Sequence, residues 1–558
     1  MKKTNHLILL LLLAGIISAC RGQNEDILPN IVDHNLSIKK SPLFTGRKNK
    51  GLVNINISVP DTGESVSLHG VKIYLLENSD TDFLESMDIQ YFKKGKGNLS
   101  QSHFGTTSNF ATEQIKLNGS AEFEPGSHVL SFDFRLKENV ILEQSFRLDK
   151  VELIFGRGQK LVMEAETGFA YRPAHILREA GQDNCHTYRI PGLVSTNEGT
   201  LIAVYDKRYK RSKDLQEDID IGMSRSTDGG RTWEPVKIIM DMGEWGGRPE
   251  NLNGIGDPCV LYDHTAGTLW VAALWMSGLT PDDMLWWSSQ PGMSPKETGQ
   301  FMLTKSTDDG LTWSEPINIT EQIKDPAWQL MLQGPGKGIT MDDGTLVFPA
   351  QFKADIGKKA IDGGQYTCHS TIIYSRDGGE TWHTAEGAKP NTTEAQVVQL
   401  ANGDLMLNMR DDRNRQVKDE TNGRAVATTA DMGRTWTIHP SSNSALPEPN
   451  CMASLIAADL QFGGEEKQGL FFSNPDNRLT RTNMTIKASL DGGLTWPEEY
   501  QVELNEEQGF GYSCMTMIDS ARIGILYEGI GELYFQVIPV EDVVHTIEGG
   551  TLKYFLLP

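Results

Sequence analysis

The sequence predicts an all-β chain of two unequal parts: a small β-sandwich, then a much larger β-propeller assembled from repeated blades. Three observations carry this reading. From about Gly51 to Phe155, short alternating runs such as "LVNINISV", "VKIYLLE", "HVLSFDFRL" and "VELIFG" are separated by Gly, Asn, Asp and Ser clusters, the period-two pattern of a small antiparallel sandwich. From near Ala174 onward one octapeptide shape recurs five times: "STDGGRTW" from Ser226, "STDDGLTW" from Ser306, "SRDGGETW" from Ser375, "TADMGRTW" from Thr429 and "SLDGGLTW" from Ser489. The copies start 54 to 80 residues apart, room for about four strands and their turns, which is the size of a blade.

In chain order, the first element is not part of the fold. Lys2 and Lys3, the apolar run "LILLLLLAGIISA" and Cys20 have the charged head, short apolar body and small-residue end of an export signal, and the run is too short to remain as a membrane span. Ile17-Ser18-Ala19-Cys20 resembles the bacterial lipobox, whose cysteine is acylated and becomes the first mature residue. The reading is a signal peptide over 1–19, a lipid anchor at Cys20 with a polar tether over 20–45, and a location in the bacterial cell envelope, on the periplasmic side or the outer surface. The sandwich occupies 46–165. It carries no cluster of His, Cys or carboxylates that reads as catalytic, and is expected either to bind carbohydrate or to brace the propeller. "ETGFAYRPAHILREAGQDN" loses the alternation and reads as a connector, and the second region occupies 174–558.

Composition sets limits. The roughly 540 residues after the signal exceed what one ordinary core holds, unless part is a large closed β architecture. The formal charge of −22 argues against nucleic acid and against a polybasic membrane surface. Besides Cys20 there are five widely spaced cysteines, Cys185, Cys259, Cys368, Cys451 and Cys514. None of their spacings suits a metal or a redox pair, so single buried thiols are expected, with at most one disulfide. No zincin histidine pair, phosphate loop or nucleophile elbow is present, and "QGPGKG" at Gln333 to Gly338 leads into a strand and a turn, so it reads as a blade loop.

Within each octapeptide, Asp accepts backbone N–H groups across a tight turn, Gly supplies positive φ, Thr returns the chain to an extended form and Trp packs the turn down. Five equivalent copies around a closed fold cannot all face one site, so Asp228, Asp308, Asp377, Asp431 and Asp491 are read as structural. These segments resemble the Asp-box repeats of the sialidase family, over about 385 residues from Ala174 to Pro558. The resemblance implies a six-bladed propeller with five legible boxes and one degenerate blade, an exo-α-sialidase activity on glycoproteins, glycolipids and oligosaccharides, and sialylated glycans as partners. It implies no metal and no organic cofactor. A monomer is expected.

The residues that carry the resemblance lie outside the boxes. "TYRIP" is similar to the family's Arg-Ile-Pro signature, with Tyr188 where Phe is common, and makes Arg189 the first of three arginines that hold the substrate's carboxylate. Arg410, closing "EAQVVQLANGDLMLNMR", and Arg481, two residues before Asn483, match the other two; Arg478 is a rival for the third role. Three guanidiniums suit an anionic sugar acid whose carboxylate sits on the reacting carbon, because forked, charge-assisted bonds fix its orientation. The same charge repels a carboxylate nucleophile, and sialidases are an exception to the two-carboxylate scheme, with a Tyr nucleophile. Tyr512 in "GFGYSCMTMIDSARIGILYEG" matches that tyrosine, Glu394 in "NTTEAQVVQL" its partner base, and Asp214 in "RYKRSKDLQEDIDIGMSRS" the proton donor, with Asp218 and Asp220 as rivals placed on the following strand. Glu528 in "LYEG" matches the partner of the first arginine, and Arg208 and Asp257 fall where family members contact the sugar's ring substituents. Trp286 and Trp287, in the long insertion between the first two boxes, are expected to line the rim and stack on the next sugar. Two other readings stay open in the sequence. One is a trans-sialidase or anhydro-forming enzyme, separated from a hydrolase only by water access; the other is a surface protein that binds sialoglycans without turnover.

Overall fold

The computed structural model describes residues 30–94, 99–111, 113–165, 168–214, 217–278, 280, 285–355, 360–462, 465–548 and 551–553. The residues read as an export signal, and Cys20, lie outside the described residues. The described chain is all-β, with three α-helices of four residues each, Leu285–Ser288, Thr320–Ile323 and Val540–Val543.

The first unit is two five-stranded antiparallel sheets. One runs Asp33–Ile38, Asn49–Val59, Gly126–Leu136, Leu84–Lys94, Leu99–Thr107 in spatial order; the other runs Lys160–Glu164, Phe146–Phe155, Val66–Leu75, Gln114–Phe123, with Ala170–Tyr171 also pairing on Phe146–Phe155. Alternation decides what each strand buries. Val53, Ile55, Ile57 and Val59 turn inward from the first sheet, and Val71, Ile73, Val151 and Leu153 from the second, into one apolar core.

Six further sheets complete the ring-shaped second unit. Sheet I is Thr187–Ser195, Leu201–Arg208, Ile219–Ser226 and Lys237–Met240; sheet II begins with Asn253–Asp263, Thr268–Ser277 and Gln300–Ser306; sheet III contains Leu330–Gln333, Leu346–Ala354 and Thr367–Ser375. Sheet IV begins with Thr392–Gln399, Leu405–Asp411 and Ala425–Thr429, and sheet V with Ser454–Phe462, Glu465–Pro475 and Met484–Ser489. Sheet VI joins Ser513–Asp519, Arg522–Glu528 and Leu533–Pro539 to two strands from the other end of the chain, Pro173–Arg178 and Leu43–Phe44. Leading strands meet in sequence: Thr187–Ser195 touches Asn253–Asp263 on one side and Ser513–Asp519 on the other, while Thr392–Gln399 lies between Leu346–Ala354 and Ser454–Phe462. The sheets therefore form a ring, closed where sheet VI meets sheet I.

Two expected boundaries are corrected. The tether read over 20–45 is partly strand, because "DHNLSI" pairs along Val53–Ser58 and Leu43–Phe44 reaches sheet VI. The connector is also ordered: Ala170–Tyr171 completes a sheet of the first unit and Pro173–Arg178 is a strand of sheet VI. Tyr171, fully buried, shares a core with Leu177, Tyr188 and Phe535, and buried Arg172 bonds Asp542 at 2.5 Å and the Glu143 carbonyl at 3.1 Å. The two parts are joined by a continuous interior. The five cysteines are all free and buried, so no disulfide forms among them.

The boxes behave as the sequence argument requires. Asp228 accepts the Thr232 amide (2.9 Å) and hydroxyl (2.6 Å), and the Gly230 amide bonds Ser226 Oγ at 2.9 Å; the other four repeat this pattern. The fifth residue of each box is a glycine for a packing reason. Gly230 has φ +87°, and a Cβ there would lie 2.1 Å from the Phe535 ring of sheet VI. A Cβ on Gly310 or Gly379 would likewise strike Ile202 of sheet I or Trp270 of sheet II, at 2.9 and 2.4 Å. Each turn thus seats on the preceding sheet of the ring. Gly230→Ala is therefore expected to destabilise the fold by about 2–3 kcal/mol through overpacking and a forced positive φ, read as a lower Tm, while the folded fraction keeps its kinetics.

Candidate active site

Antiparallel order puts the start of each leading strand and the loop between second and third strands at one end of the ring, and every box at the other. The proposed chemistry-bearing residues sit at the first end. In three sheets the leading strand is bulged there, between Arg189 and Gly192, Gly256 and Cys259, and Thr392 and Ala395. A bulge re-aims side chains that a regular ladder would send outward. Ile190 takes φ +59° in the first bulge, an uncommon conformation for a β-branched residue, and its freed amide bonds Glu528 Oε1 at 2.9 Å.

Glu528 is wholly buried and accepts four N–H bonds. Besides Ile190 it takes Arg189 Nε at 3.0 Å, Arg189 Nη2 at 3.4 Å and the Tyr512 amide at 3.0 Å. Arg189 lies over the Phe510 ring at 4.6 Å and the Tyr512 ring at 5.3 Å. Burial alone would lower its pKa, but Glu528 and Asp214 outweigh that and hold it above its usual value.

Asp214 caps the other side of Arg189, with Oδ1 3.3 Å from Arg189 Nη1 and 2.8 Å from Arg208 Nη1. Burial pushes its pKa upward, yet the two arginines prevail and it lies below the ordinary carboxylate value. Its side chain is 54% exposed, whereas Arg208 beneath it has no exposed side-chain surface. Arg208 also bonds Asp206 Oδ2 at 2.7 Å and the Ser212 carbonyl at 2.8 Å. Asp257 occupies the second bulge at φ +57°, its amide bonded to Asp206 Oδ1 at 2.8 Å. Burial, then Asp206 and Asp214, push its pKa well up.

Across the opening, Tyr512 donates its hydroxyl to Glu394 Oε1. Arg410 Nη1 touches both partners, Glu394 Oε2 at 2.6 Å and Tyr512 Oη at 3.1 Å. Burial and the Glu394 charge raise the Tyr512 pKa well above that of a free phenol, against Arg410 and Arg481. Arg481 bonds the Phe510 carbonyl at 2.7 Å and the Asn450 carbonyl at 3.2 Å, with its guanidinium 5.7 Å from the Tyr512 ring centre. The result is one charged cluster: a phenol–carboxylate pair, the half-exposed carboxylate of Asp214, and the guanidiniums of Arg189, Arg410 and Arg481, near enough that Arg410 acts on the Asp214 charge and Arg189 lies against the Tyr512 ring.

Sequence and structure comparisons show what the chain is similar to. Residues 199–525 match the family model described as a BNR repeat-like domain. A protein named sialidase from Bacteroides fragilis is 43% identical over 504 residues, covering 88% of this chain and 90% of the relative.

The chain belongs to the sialidase family.

A Micromonospora viridifaciens sialidase is 30% identical over 63% of this chain and 52% of its own length. The solved structure named Hadza microbial sialidase Hz136 is 41% identical, covers 91% of this chain and 100% of that one, and superposes with a TM-score of 0.79.

In this sialidase-family chain, most residues singled out from the sequence converge. Arg189, Asp214, Asp257, Glu394, Arg410, Arg481, Tyr512 and Glu528 come together at one end of the ring. Arg208, expected to touch the sugar, lies buried directly beneath Asp214, bonded to it and to Asp206. Arg478 points away, to the Asp419 carbonyl at 2.9 Å, so Arg481 is the third arginine of the cleft. Asp220 lies on the strand as expected, buried against the Tyr209 hydroxyl at 2.6 Å, and burial lifts its pKa to about 7. Trp286 packs against Leu274, Met276, Leu330 and Leu332, while Trp287 is 49% exposed; Lys353 lies 4.1 and 4.9 Å from the two ring centres. Their loop occupies the same place in sheet II that the Asp214 loop occupies in sheet I.

Sequence reading missed Asp206, Asn450, Glu448 and Arg424. Asp206 was findable, since residues two apart on a strand share a face with Arg208. Asn450 carries no local signal, because its role depends on a loop packed against another sheet.

Arg189→Lys keeps the charge but loses the fork, and should cut kcat/KM on an anionic substrate by roughly 100-fold. Arg225→Ala is the control. Arg225 is committed to Asp309 at 2.5 Å and Glu234 at 2.9 Å on the box side, so steady-state kinetics should change less than about twofold.

Proposed function

We propose that this protein is an exo-α-sialidase that releases terminal α-linked sialic acids from glycoproteins, glycolipids and oligosaccharides with retention of configuration. The observation that carries the reading is the contact set Tyr512–Glu394–Arg410, facing Asp214 across the cleft. A phenol titrating above its usual range attacks only if its proton has somewhere to go, and Glu394 is already its acceptor. Arg410, bonded to the same oxygen, stabilises the negative charge that develops there.

In the first step the Tyr512 oxygen bonds to the anomeric carbon, the bond from that carbon to the aglycone oxygen breaks, Glu394 receives the phenolic proton and Asp214 protonates the departing oxygen. Asp214 must begin protonated, and its two arginines oppose this in the resting site. A substrate carboxylate bound at Arg189 competes for Nη1 and loosens that grip, so binding itself raises the pKa of the acid. In the second step Asp214 takes a proton from water, the hydroxide adds to the anomeric carbon, and the tyrosyl bond breaks as Tyr512 recovers its proton from Glu394.

The same proposal reads the ring as a six-bladed β-propeller and the first unit as a β-sandwich that extends beyond 46–165 to include Asp33–Ile38 and Ala170–Tyr171. The cyclic contact order and the one sheet without a box, sheet VI, support it. It also includes a monomeric state, lipid anchoring at Cys20 and a cell-envelope location, resting on the lipobox-like tetrapeptide. Cys20→Ser should move the protein from the membrane to the soluble fraction; unchanged partition removes the anchor.

Incubation with a sialyl-lactose, with products identified by NMR, should show free sialic acid appearing first as the α anomer. No turnover refutes the reading, and an anhydro sugar or a sialylated acceptor reassigns it to a transferase. Tyr512→Phe should lower kcat by about 1,000-fold or more, since the covalent route is closed.

A further inference from the structure

We propose that Asn450 is a positioning residue for the carboxylate clamp, held in place by the buried pair Arg424–Glu448; this rests on the sialidase reading above. The Asn450 side chain reaches Arg410 and its backbone reaches Arg481. Oδ1 accepts from Arg410 Nε at 3.2 Å and Nη2 at 2.8 Å, a two-pronged bond to one edge of the guanidinium. The carbonyl oxygen accepts from Arg481 Nη2 at 3.2 Å. One residue therefore sets the separation and tilt of two of the three cleft arginines, which come from sheets IV and V.

The choice of an amide has a chemical reason. Arg410 already meets one carboxylate, Glu394, and Arg189 already meets Glu528. A second carboxylate on the Arg410 edge would cancel the remaining attraction for an anionic ligand and repel its carboxylate directly. A neutral acceptor orients the guanidinium without spending its charge. Asn also suits the backbone, because the residue sits at φ +62°, a region that Asn enters more readily than most residues.

The pair below explains why Asn450 stays put. Asn450 Nδ2 bonds the Asp411 carbonyl at 3.0 Å, next to Arg410 itself. Glu448 Oε2 accepts the Cys451 amide at 3.0 Å and Arg424 Nη1 at 3.3 Å, and Oε1 accepts Asn414 Nδ2 at 2.7 Å and the Asp411 amide at 3.3 Å. Arg424 completes the clasp with the Cys451 carbonyl at 2.6 Å and Asn408 Oδ1 at 2.7 Å. Both charged side chains are at most 1% exposed. A buried ion pair this well hydrogen-bonded makes weak evidence for stability but good evidence for a fixed geometry. It locks the 448–451 turn to the strand end that carries Arg410.

Asn450→Gly tests the proposal, since glycine tolerates the positive φ and keeps the carbonyl that Arg481 uses, while it deletes the side-chain acceptor for Arg410 together with the Nδ2 bond to Asp411. With an aryl α-sialoside, KM should rise about tenfold while kcat changes less than about threefold. Asn450→Asp keeps the acceptor but adds charge, and should raise KM further still. Binding of sialic acid itself, measured by calorimetry, should weaken in the same order. Unchanged KM and unchanged binding in Asn450→Gly, with or without a lower Tm, would overturn the positioning role. A wild-type protein that neither turns over the sialoside nor binds sialic acid would instead overturn the functional reading on which it rests.

Discussion

The site depends first on one carboxylate. Glu528, on the second strand of sheet VI, gathers four N–H groups from the two sheets that meet where the ring closes: the head and following amide of Arg189 in sheet I, and the amide of Tyr512 in sheet VI. Its own amide returns a bond to the Tyr512 carbonyl at 3.0 Å. The seam where the ring closes is therefore also where the nucleophile candidate and the first arginine are set against each other. An unpaired carboxylate in that place would cost several kcal/mol. The bulge at Ile190 supplies the pairing, at the expense of a strained φ.

This pairing also sets the electrostatic character of the cleft. A protein with a formal charge of −22 presents a cationic patch only by concentrating arginines, and concentrated arginines repel one another unless each is partnered. Arg189 is partnered by Glu528 and Asp214, Arg208 by Asp206 and Asp214, Arg410 by Glu394. The partners differ in exposure, and that difference assigns their roles. Glu528 and Asp206 are sealed and serve as permanent counter-charges, while Asp214 is half exposed and is the one acid that an arriving anion can displace. The half-open position is what a proton donor requires.

Much of this was legible in the sequence because it is encoded locally. The box turns are written in eight consecutive residues, and their Asp, Gly and Thr made the predicted bonds. The arginines, Tyr512, Glu394 and Asp214 were findable through motif contexts, each a few residues long. What stayed hidden is what two distant segments make together. Leu43–Phe44 and Pro173–Arg178 gave no sign that they complete sheet VI, since a short strand reads as a tether until its partner is known. Arg208 was read as a sugar contact, because alternation does not reveal that Asp214 folds over it. Asn450 is an ordinary loop asparagine until Arg410 and Arg481 are placed on either side of it.

The donor inventory of the three arginines argues that they are not equivalent. A guanidinium has five N–H groups. Among the described residues, Arg410 commits Nε and one Nη2 hydrogen to Asn450 and its Nη1 hydrogens to Glu394 and Tyr512, which leaves one. Arg189 commits three, to Glu528 and Asp214. Arg481 commits two, both to backbone carbonyls, and among the described residues no carboxylate is bonded to it. An incoming carboxylate thus meets Arg410 as a rigid single donor, Arg189 as two free N–H groups plus the one now spent on Asp214, and Arg481 as the guanidinium with the most N–H groups unspent. On the proposed sialidase reading, Arg481 would supply the attraction, Arg410 the alignment with Tyr512, and Arg189 the coupling between binding and the proton state of Asp214. A clamp of three identical arginines would hold the ligand as firmly but would not tell the acid that it had arrived.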